Sequence, residues 1–240
     1  MICIAGYGYV GQATHKMLDS GPGYPVDVII DTDKGLVDYD LARKCDIIFV
    51  CVPTPQSADG SCDTKEVRNV MKTIGRKPLY VIRSTVPWTF EMPGYNMVAA
   101  PEFLSMFEFL DSTHKHILGG SYNNLRSIIE LYDNLGLEYL ATTWEAACQV
   151  KYTSNLYGAF KVSFWNMIQD ITHNERLVYN LLKDLNIKQG DMAQVGMDGT
   201  RGFGGACFPK DINAVNTIHP HTLLQAVIDY NEVIRHGKES

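Results

Sequence analysis

Ile2-Cys3-Ile4-Ala5-Gly6-Tyr7-Gly8-Tyr9-Val10-Gly11 begins one residue into the chain. Residues 2–5 read as a short apolar strand, and the glycines follow it in G-x-G-x-x-G spacing. Val10, Ala13, Met17 and Leu18 then recur with helical periodicity. A second strand, Val26-Asp27-Val28-Ile29-Ile30, ends at Asp31, twenty positions after Gly11. A glycine turn alone says little; between a strand and a helix, with a carboxylate at the end of the next strand, it predicts a dinucleotide-binding unit. The glycines allow a tight turn and let a pyrophosphate approach the helix amides, while Asp31 can accept bonds from the adenosine ribose. An acid there favours NAD over NADP by repelling a 2′-phosphate, although Lys34 nearby works in the opposite direction.

The pattern continues outward from this unit. Asp46-Ile47-Ile48-Phe49-Val50-Cys51-Val52 reads as a buried parallel strand. It runs into Pro53-Thr54-Pro55, a rigid loop at the strand end where open α/β sheets bind ligands. A helix at 63–75 and a strand at 79–83 lead to Arg83-Ser84-Thr85-Val86-Pro87. A strand at 96–99 leads to Ala100-Pro101-Glu102-Phe103-Leu104. A strand at 116–118, a helix at 122–135 and a strand at 137–140 complete the series. Strands alternating with helices predict an α/β fold, a doubly wound Rossmann-type sheet.

From Trp144 the periodicity is helical only, so the expected domains are 1–143, dinucleotide-binding, and 144–240, all-helical. Residues 144–172 form one segment with an apolar stripe of Ala147, Val150, Tyr157, Phe160, Phe164, Ile168 and Ile171. Lys151, Asn155 and Ala159 make a neighbouring row four apart, which without context reads as a solvated face. Gly158 and Ala159 leave room beside Lys151 and Asn155. Further helices are expected at 175–186 and 221–236.

Between those two helices stands Gly202-Phe203-Gly204-Gly205-Ala206-Cys207-Phe208-Pro209-Lys210-Asp211. The glycines allow unusual backbone geometry, and Pro209 suits the first turn of a helix. A thiol at a helix N-terminus is favoured as thiolate, Lys210 adds a cation, and Asp211 lies one turn beyond Cys207. That is the composition of a covalent-catalysis site. A buried structural cysteine is the plainer reading of Gly-Gly-x-Cys taken alone.

Composition narrows the classes. The 240 residues are 45% hydrophobic and 20% charged, with a net charge of -6. That balance, with no Lys/Arg run, argues against a nucleic-acid surface. No stretch is apolar for long enough to span a membrane, and the N-terminus enters a strand without a basic leader. The six cysteines have no framework spacing and suggest reduced thiols in the cytoplasm. Neither His114-x-His116 nor His219-x-His221 has companion ligands, so no metal site is expected.

Taken in order, the segments resemble the UDP-glucose/GDP-mannose dehydrogenase family, the nucleotide-sugar 6-dehydrogenases. The residues that carry this are Gly6 to Gly11, Val52-Pro53-Thr54-Pro55 with Asp59-Gly60, and Ser84-Thr85-Val86-Pro87. Pro101-Glu102-Phe103-Leu104, Glu145-Ala146-Ala147 with Lys151 and Asn155, and Gly202 to Asp211 complete the set. The resemblance implies oxidation of a nucleotide-sugar C6 alcohol to a carboxylate with two NAD. It assigns cofactor contacts to Gly6, Tyr7, Gly8, Tyr9, Val10, Gly11, Asp31, Val52, Pro53, Thr54, Ser84 and Thr85. Lys151 and Asn155 would stabilise the alkoxide, and Cys207 would form a thiohemiacetal and then a thioester. Water activated by Glu102, or held by Thr85 and Asp211, would hydrolyse the thioester. Glu102, Phe103, Leu104, Lys151, Asn155, Phe203, Gly204 and Gly205 would touch substrate. A homodimer through the central helices is also implied, burying 221–236 and part of 144–172.

The chain departs from the family pattern at several points. The family continues into a third α/β domain, so the resemblance describes a short form, either a fragment or a minimal version. The segment Val195 to Arg201 is abbreviated. Met106 replaces a second acid, and Trp88-Thr89 stands where a glycine is usual. Two other readings compete: a single-step β-hydroxyacid-type dehydrogenase, and an idle NAD-binding subunit of a split enzyme. Cys207 within its full motif argues against the former, and retention of Lys151, Asn155, Cys207 and Asp211 together argues against the latter.

Overall fold

The computed structural model describes residues 1–21, 23–103, 115–187, 192–196 and 198–237. The chain divides into two compact units, one of residues 1–55 and 63–151, the other of residues 56–62 and from Tyr152 onward.

The first unit is built on seven strands: β1 (Ile2–Ala5), β2 (Val26–Ile30), β3 (Ile47–Val50), β4 (Leu79–Ile82), β5 (Asn96–Ala99), β6 (His116–Gly120) and β7 (Tyr139–Thr142). Their spatial order is β2-β1-β3-β4-β5-β6-β7. All neighbouring pairs are parallel except β5 and β6. The chain leaves β1 to one side for β2 and returns to the other side for β3. The crevice beyond the ends of β1 and β3 is therefore the topological switch point, where such sheets bind ligands.

Helices α1 (Tyr9–Leu18), α2 (Tyr39–Ala42), α3 (Lys65–Ile74) and α4 (Tyr122–Asn134) accompany the sheet. Side chains alternate along the strands, so each sheet face has its own core. Ile2, Ile4, Phe49 and Val81 join Met17, Leu18, Ile128 and Leu131 of α1 and α4. Cys3, Ala5, Val50 and Ile82 join Val67, Val70, Met71 and Ile74 of α3. Those four α3 residues fall at i, i+3, i+4 and i+7, one helix face.

The strand expected at 137–140 begins two residues later. Gly136, at φ +66°, closes α4 with bonds from Gly136 N–H to Asp133 and from Leu137 N–H to Tyr132. This reciprocal C-terminal cap takes up Leu137, whose apolar side chain had read as strand.

The long helix α5 spans Trp144–Thr172, the full extent of its periodic segment. The apolar stripe lies mostly outside. Val150, Tyr157, Phe164 and Ile171 are exposed, whereas Lys151, Tyr152, Asn155, Ala159, Val162 and Asn166 are buried. Lys151 and Asn155 therefore do not lie on a solvated face.

The second unit also contains α6 (Glu175–Asp184), α7 (Phe208–Ile218) and α8 (Thr222–His236). Its core gathers Ala159, Val162, Phe203, Ile212 and Leu224, with Phe208, Val215 and Val227 packed against them. Residues 56–62 join this unit, where Thr217 Oγ1 donates to the Asp59 carbonyl at 3.5 Å.

Candidate active site

In the first unit the glycine turn is held by its own neighbours. Gly6 has φ +90°, and a Cβ there would come within 2.7 Å of the Cys51–Val52 backbone. A Cβ on Gly11 would overlap the Gly6 carbonyl oxygen. Both glycines are thus required by the fold itself. Gly8 differs: it has an ordinary φ of -77°, and a Cβ there would meet nothing within 4 Å. Among the described residues nothing crowds this exposed N-cap of α1, where glycine is also an ordinary capping residue, so the backbone is open to close approach by a ligand such as a pyrophosphate.

Asp31 organises this loop. Its Oδ2 accepts the Tyr7 N–H at 2.7 Å, and its Oδ1 accepts the Lys34 N–H at 3.1 Å. A carboxylate has lone pairs to spare beyond two such bonds, so ribose hydroxyls can still be accepted. Lys34 turns back onto the loop: its Nζ donates to the Tyr7 carbonyl and lies 5.1 Å from the Tyr7 ring centroid. The Tyr7 hydroxyl in turn meets His15 Nδ1 at 2.7 Å.

Thr54 and Ser84 hold the ends of β3 and β4 together. Thr54 Oγ1 donates to the Thr85 carbonyl at 2.8 Å, and Ser84 Oγ to the Val52 carbonyl at 2.6 Å. Both side chains are buried, while Pro53 is exposed. Beyond them a small cavity is lined by Ser84, Thr85, Pro101, Cys148 and Lys151. Lys151 Nζ stands 3.3 Å from Glu102 Oε1 and 5.3 Å from the Phe103 ring centroid. Lys151 and Glu102 are both nearly buried, so this ion pair is only weakly screened by solvent. Burial also sets the chemistry of the nearby thiols: it pushes Cys148 up to about 12 and Cys51 up to about 11. Neither is a thiolate near neutral pH.

In the second unit Gly202 (φ +86°) and Gly205 (φ +78°) flank the turn that precedes α7. Gly202, Phe203 and Gly204 are buried, and Gly205, Ala206 and Cys207 are exposed, so the loop climbs from the core to the surface. Cys207 is the N-cap residue of α7, with Pro209 in the first turn. One turn on, Asp211 is fully buried: its Oδ2 accepts from Asn155 Nδ2 at 2.5 Å and its Oδ1 pairs with Lys210 Nζ. Lys210 is therefore the counter-ion of Asp211.

Several features here carried no local signal. The Phe203 side chain is core, so its part is to anchor the loop. The space at Gly158 is filled by the Phe208 ring, which a Cβ at 158 would overlap. Asn231 bonds both backbone groups of Phe203 across 28 residues of sequence. Leu104, Met106 and Met197 lie outside the described residues.

Residues 36–135 match the NAD-binding domain of the UDP-glucose/GDP-mannose dehydrogenase family, and residues 145–233 match its central domain. The UDP-glucose 6-dehydrogenase TuaD of Bacillus subtilis is 30% identical over 216 residues, which cover 79% of this chain and 47% of that protein. The chain spans about half the length of the curated relatives it matches. Among solved structures, a UDP-D-ManNAc dehydrogenase from Pyrococcus horikoshii aligns over 98% of this chain and 69% of its own, with a TM-score of 0.79 at 19% identity. The 3-hydroxyisobutyrate dehydrogenase of Mycobacterium tuberculosis shares the fold at a TM-score of 0.71 and 15% identity, over 95% of this chain and 91% of that one. With both domain profiles matched in order, one on each side of the start of α5, the chain belongs to the UDP-glucose/GDP-mannose dehydrogenase family.

Proposed function

We propose that this chain oxidises the C6 primary alcohol of a nucleotide sugar, UDP-glucose first among candidates, to a carboxylate, with Cys207 holding the intermediate. The observation that carries the reading is Cys207 itself: an exposed thiol at the N-cap of α7, on a glycine loop, with Asp211 buried one turn behind it. A one-step alcohol oxidation has no use for such a thiol. The name of TuaD supports the choice of sugar.

The steps are those that the family resemblance implies for these residues. Loss of a hydride and a proton converts the alcohol to an aldehyde, and Lys151 stabilises the alkoxide that forms on the way. Asn155 serves as a neutral donor one turn further along α5. The Cys207 sulfur then bonds to the aldehyde carbon, and its proton passes to the aldehyde oxygen, giving a thiohemiacetal. A second loss of hydride and proton gives a thioester. Water activated by Glu102 adds to the thioester carbon, the carbon–sulfur bond breaks, and carboxylate and thiol are released. Thr85 and Asp211 offer the alternative hold on that water. NAD bound along the Gly6–Gly11 turn supplies the hydride acceptor for each oxidation.

A second copy of the chain is assigned to the outer row of α5. Val150, Tyr157, Phe164 and Ile171 repeat every seven residues and are exposed, which is the spacing of a helix–helix seam. Light scattering on the wild type and on Tyr157→Lys with Phe164→Glu would show a dimer becoming a monomer. The six cysteines form no disulfide, which is compatible with the reducing, cytoplasmic setting proposed here.

The deciding experiment is a single-turnover assay of NADH formed per UDP-glucose, with Cys207→Ser beside the wild type. Two NADH per sugar, falling to stalled or absent oxidation in Cys207→Ser, is the expected result. One NADH per substrate, indifferent to Cys207, would replace this reading with a single-step dehydrogenase.

A further inference from the structure

We propose that Asn231 and Arg235, four residues apart on α8, are positioning residues that fix the backbone of the Cys207 loop. The proposal rests on the nucleophilic role given to Cys207 above. Asn231 is buried, and its side-chain amide uses both of its functions on one residue. Oδ1 accepts the Phe203 N–H at 2.8 Å, and Nδ2 donates to the Phe203 carbonyl at 3.0 Å. The pair of bonds imitates a strand partner for Phe203, next to Gly202, which bridges to Val195 with its N–H on the Gln194 carbonyl at 3.0 Å.

Arg235 closes the other side. Its Nη2 lies 2.5 Å from Asp198 Oδ2, and Asp198 Oδ1 accepts the Thr200 N–H at 3.0 Å, so the guanidinium ties the turn ahead of the loop to α8. Gly202 and Gly204 pass between these groups with no room for a side chain. A Cβ on Gly202 would sit 2.7 Å from Asn231 Oδ1, and one on Gly204 would sit 2.6 Å from Arg235 Nη1.

The need for such a grip follows from the loop's own composition. Three glycines in four residues have the largest backbone freedom a chain can offer, and that freedom ends two residues before the reacting sulfur. Unrestrained, it would spread the thiol over many positions. Held at Phe203 by two bonds and a buried ring, and with Gly204 confined beside the Arg235–Asp198 pair, the loop delivers Cys207 to one place. α8 contributes no reacting group, so its effect is on attack geometry, where small misplacements are costly in rate.

The test uses the full chain and the variants Asn231→Ala, Asn231→Asp and Arg235→Lys. Asn231→Asp keeps the acceptor for Phe203 N–H and loses the donor; Arg235→Lys keeps the charge and loses the planar fork. Thermal melting and NAD binding establish that each variant is folded. Cys207 alkylation by iodoacetamide, followed by mass spectrometry, reads the loop without any substrate. For UDP-glucose, kcat, KM and NADH per sugar are measured. The expected result is a roughly 10- to 100-fold fall in kcat with KM and NAD affinity little changed. NADH per sugar should drop from two towards one, and alkylation of Cys207 should slow. A folded variant with wild-type alkylation and kcat overturns the proposal, as does collapse of all three variants, which would make the grip a folding element only. Should the wild type oxidise no sugar, the reaction assigned above fails, and the alkylation rates still decide the role of α8.

Discussion

Asn155 Nδ2 stands 2.5 Å from Asp211 Oδ2, and both side chains are buried. The amide belongs to α5 and the carboxylate to α7, 56 residues later, with Lys210 on the second oxygen. Removing one donor from a buried carboxylate exposes part of its desolvation cost. Asn155→Ala should therefore lower unfolding free energy by about 1–3 kcal/mol. Asp211→Ala strands both the lysine and the amide, and should cost about 3–5 kcal/mol. Urea denaturation followed by tryptophan fluorescence measures both. A loss below about 0.5 kcal/mol for either would place it with ordinary surface substitutions and make the pair incidental.

The three glycines of the first turn should separate into two classes. Gly11→Ala drives a methyl into the Gly6 carbonyl and should destabilise the first unit outright, visible as a lowered melting temperature without any ligand. Gly8→Ala has open space and a permitted φ, so its melting temperature should match the wild type. NAD affinity should nevertheless fall by roughly tenfold or more, since the methyl occupies the pyrophosphate's line of approach. Calorimetric titration with NAD is the check. Equal NAD affinity in Gly8→Ala would remove the argument for the cofactor's place.

These two cases also show what could be read without coordinates. The strand, the glycine spacing and Asp31 are local signals within the first 31 residues, and the sheet order completes them. The extent of α5 was equally legible, because its periodicity is unbroken from Trp144 to Thr172. Which side of α5 faces inward was not. The row Val150, Tyr157, Phe164, Ile171 is more apolar than the row holding Lys151 and Asn155, yet the latter is buried. Those two polar groups are satisfied by Glu102 and Asp211, 49 and 56 residues away, and no local pattern carries that information. Gly158 read as room beside Lys151 for the same reason, the Phe208 ring being contributed from far along the chain.

The cysteines should differ widely in reactivity. Cys207 is exposed, whereas Cys3, Cys45, Cys51 and Cys148 are buried, with their thiols pushed up by burial. Near neutral pH, iodoacetamide should label Cys207 on the order of 100-fold faster than any of those four. Peptide mass spectrometry over a time course, with a denatured control, measures the ratio. Labelling of Cys148 at a rate near that of Cys207 would contradict the packing at the start of α5.

His116 gives the fold a pH dependence of unusual sign for a histidine. Burial first, and the Arg83 guanidinium second, push its imidazole down to about 4, and its ring meets Tyr132 edge-on at 5.2 Å. An unfolded histidine titrates near 6.5, so between these values the unfolded chain binds more protons than the folded one. The contribution is fully present above about pH 6.5 and is lost as pH falls towards 4, by up to about 3 kcal/mol. His116→Phe should flatten this part of the stability profile while keeping the ring contact. Denaturation midpoints across the same range give the answer, and an unchanged acid slope in the variant would assign the effect elsewhere.

Gly158→Ala tests whether the thiol depends on packing that contains no reactive group. A methyl at 158 would overlap the Phe208 ring, and Phe208 is the residue immediately after Cys207, at the first position of α7. The ring is partly buried against Ala159 and Ile212 and has little freedom to turn aside, so the first turn of α7 must shift. Interiors packed at near-crystalline density do not absorb a methyl without cost, and about 1–3 kcal/mol of stability should be lost. If the position of the sulfur is what matters, kcat should fall by roughly 10-fold or more while NAD binding, set in the first unit, is unchanged. The double variant Gly158→Ala with Phe208→Leu removes the overlap and should recover a substantial part of the lost rate. Recovery separates a displaced thiol from a simple loss of stability, because Phe208→Leu alone should be slightly destabilising. A double variant as slow as Gly158→Ala would show that the space at 158 serves something other than Phe208.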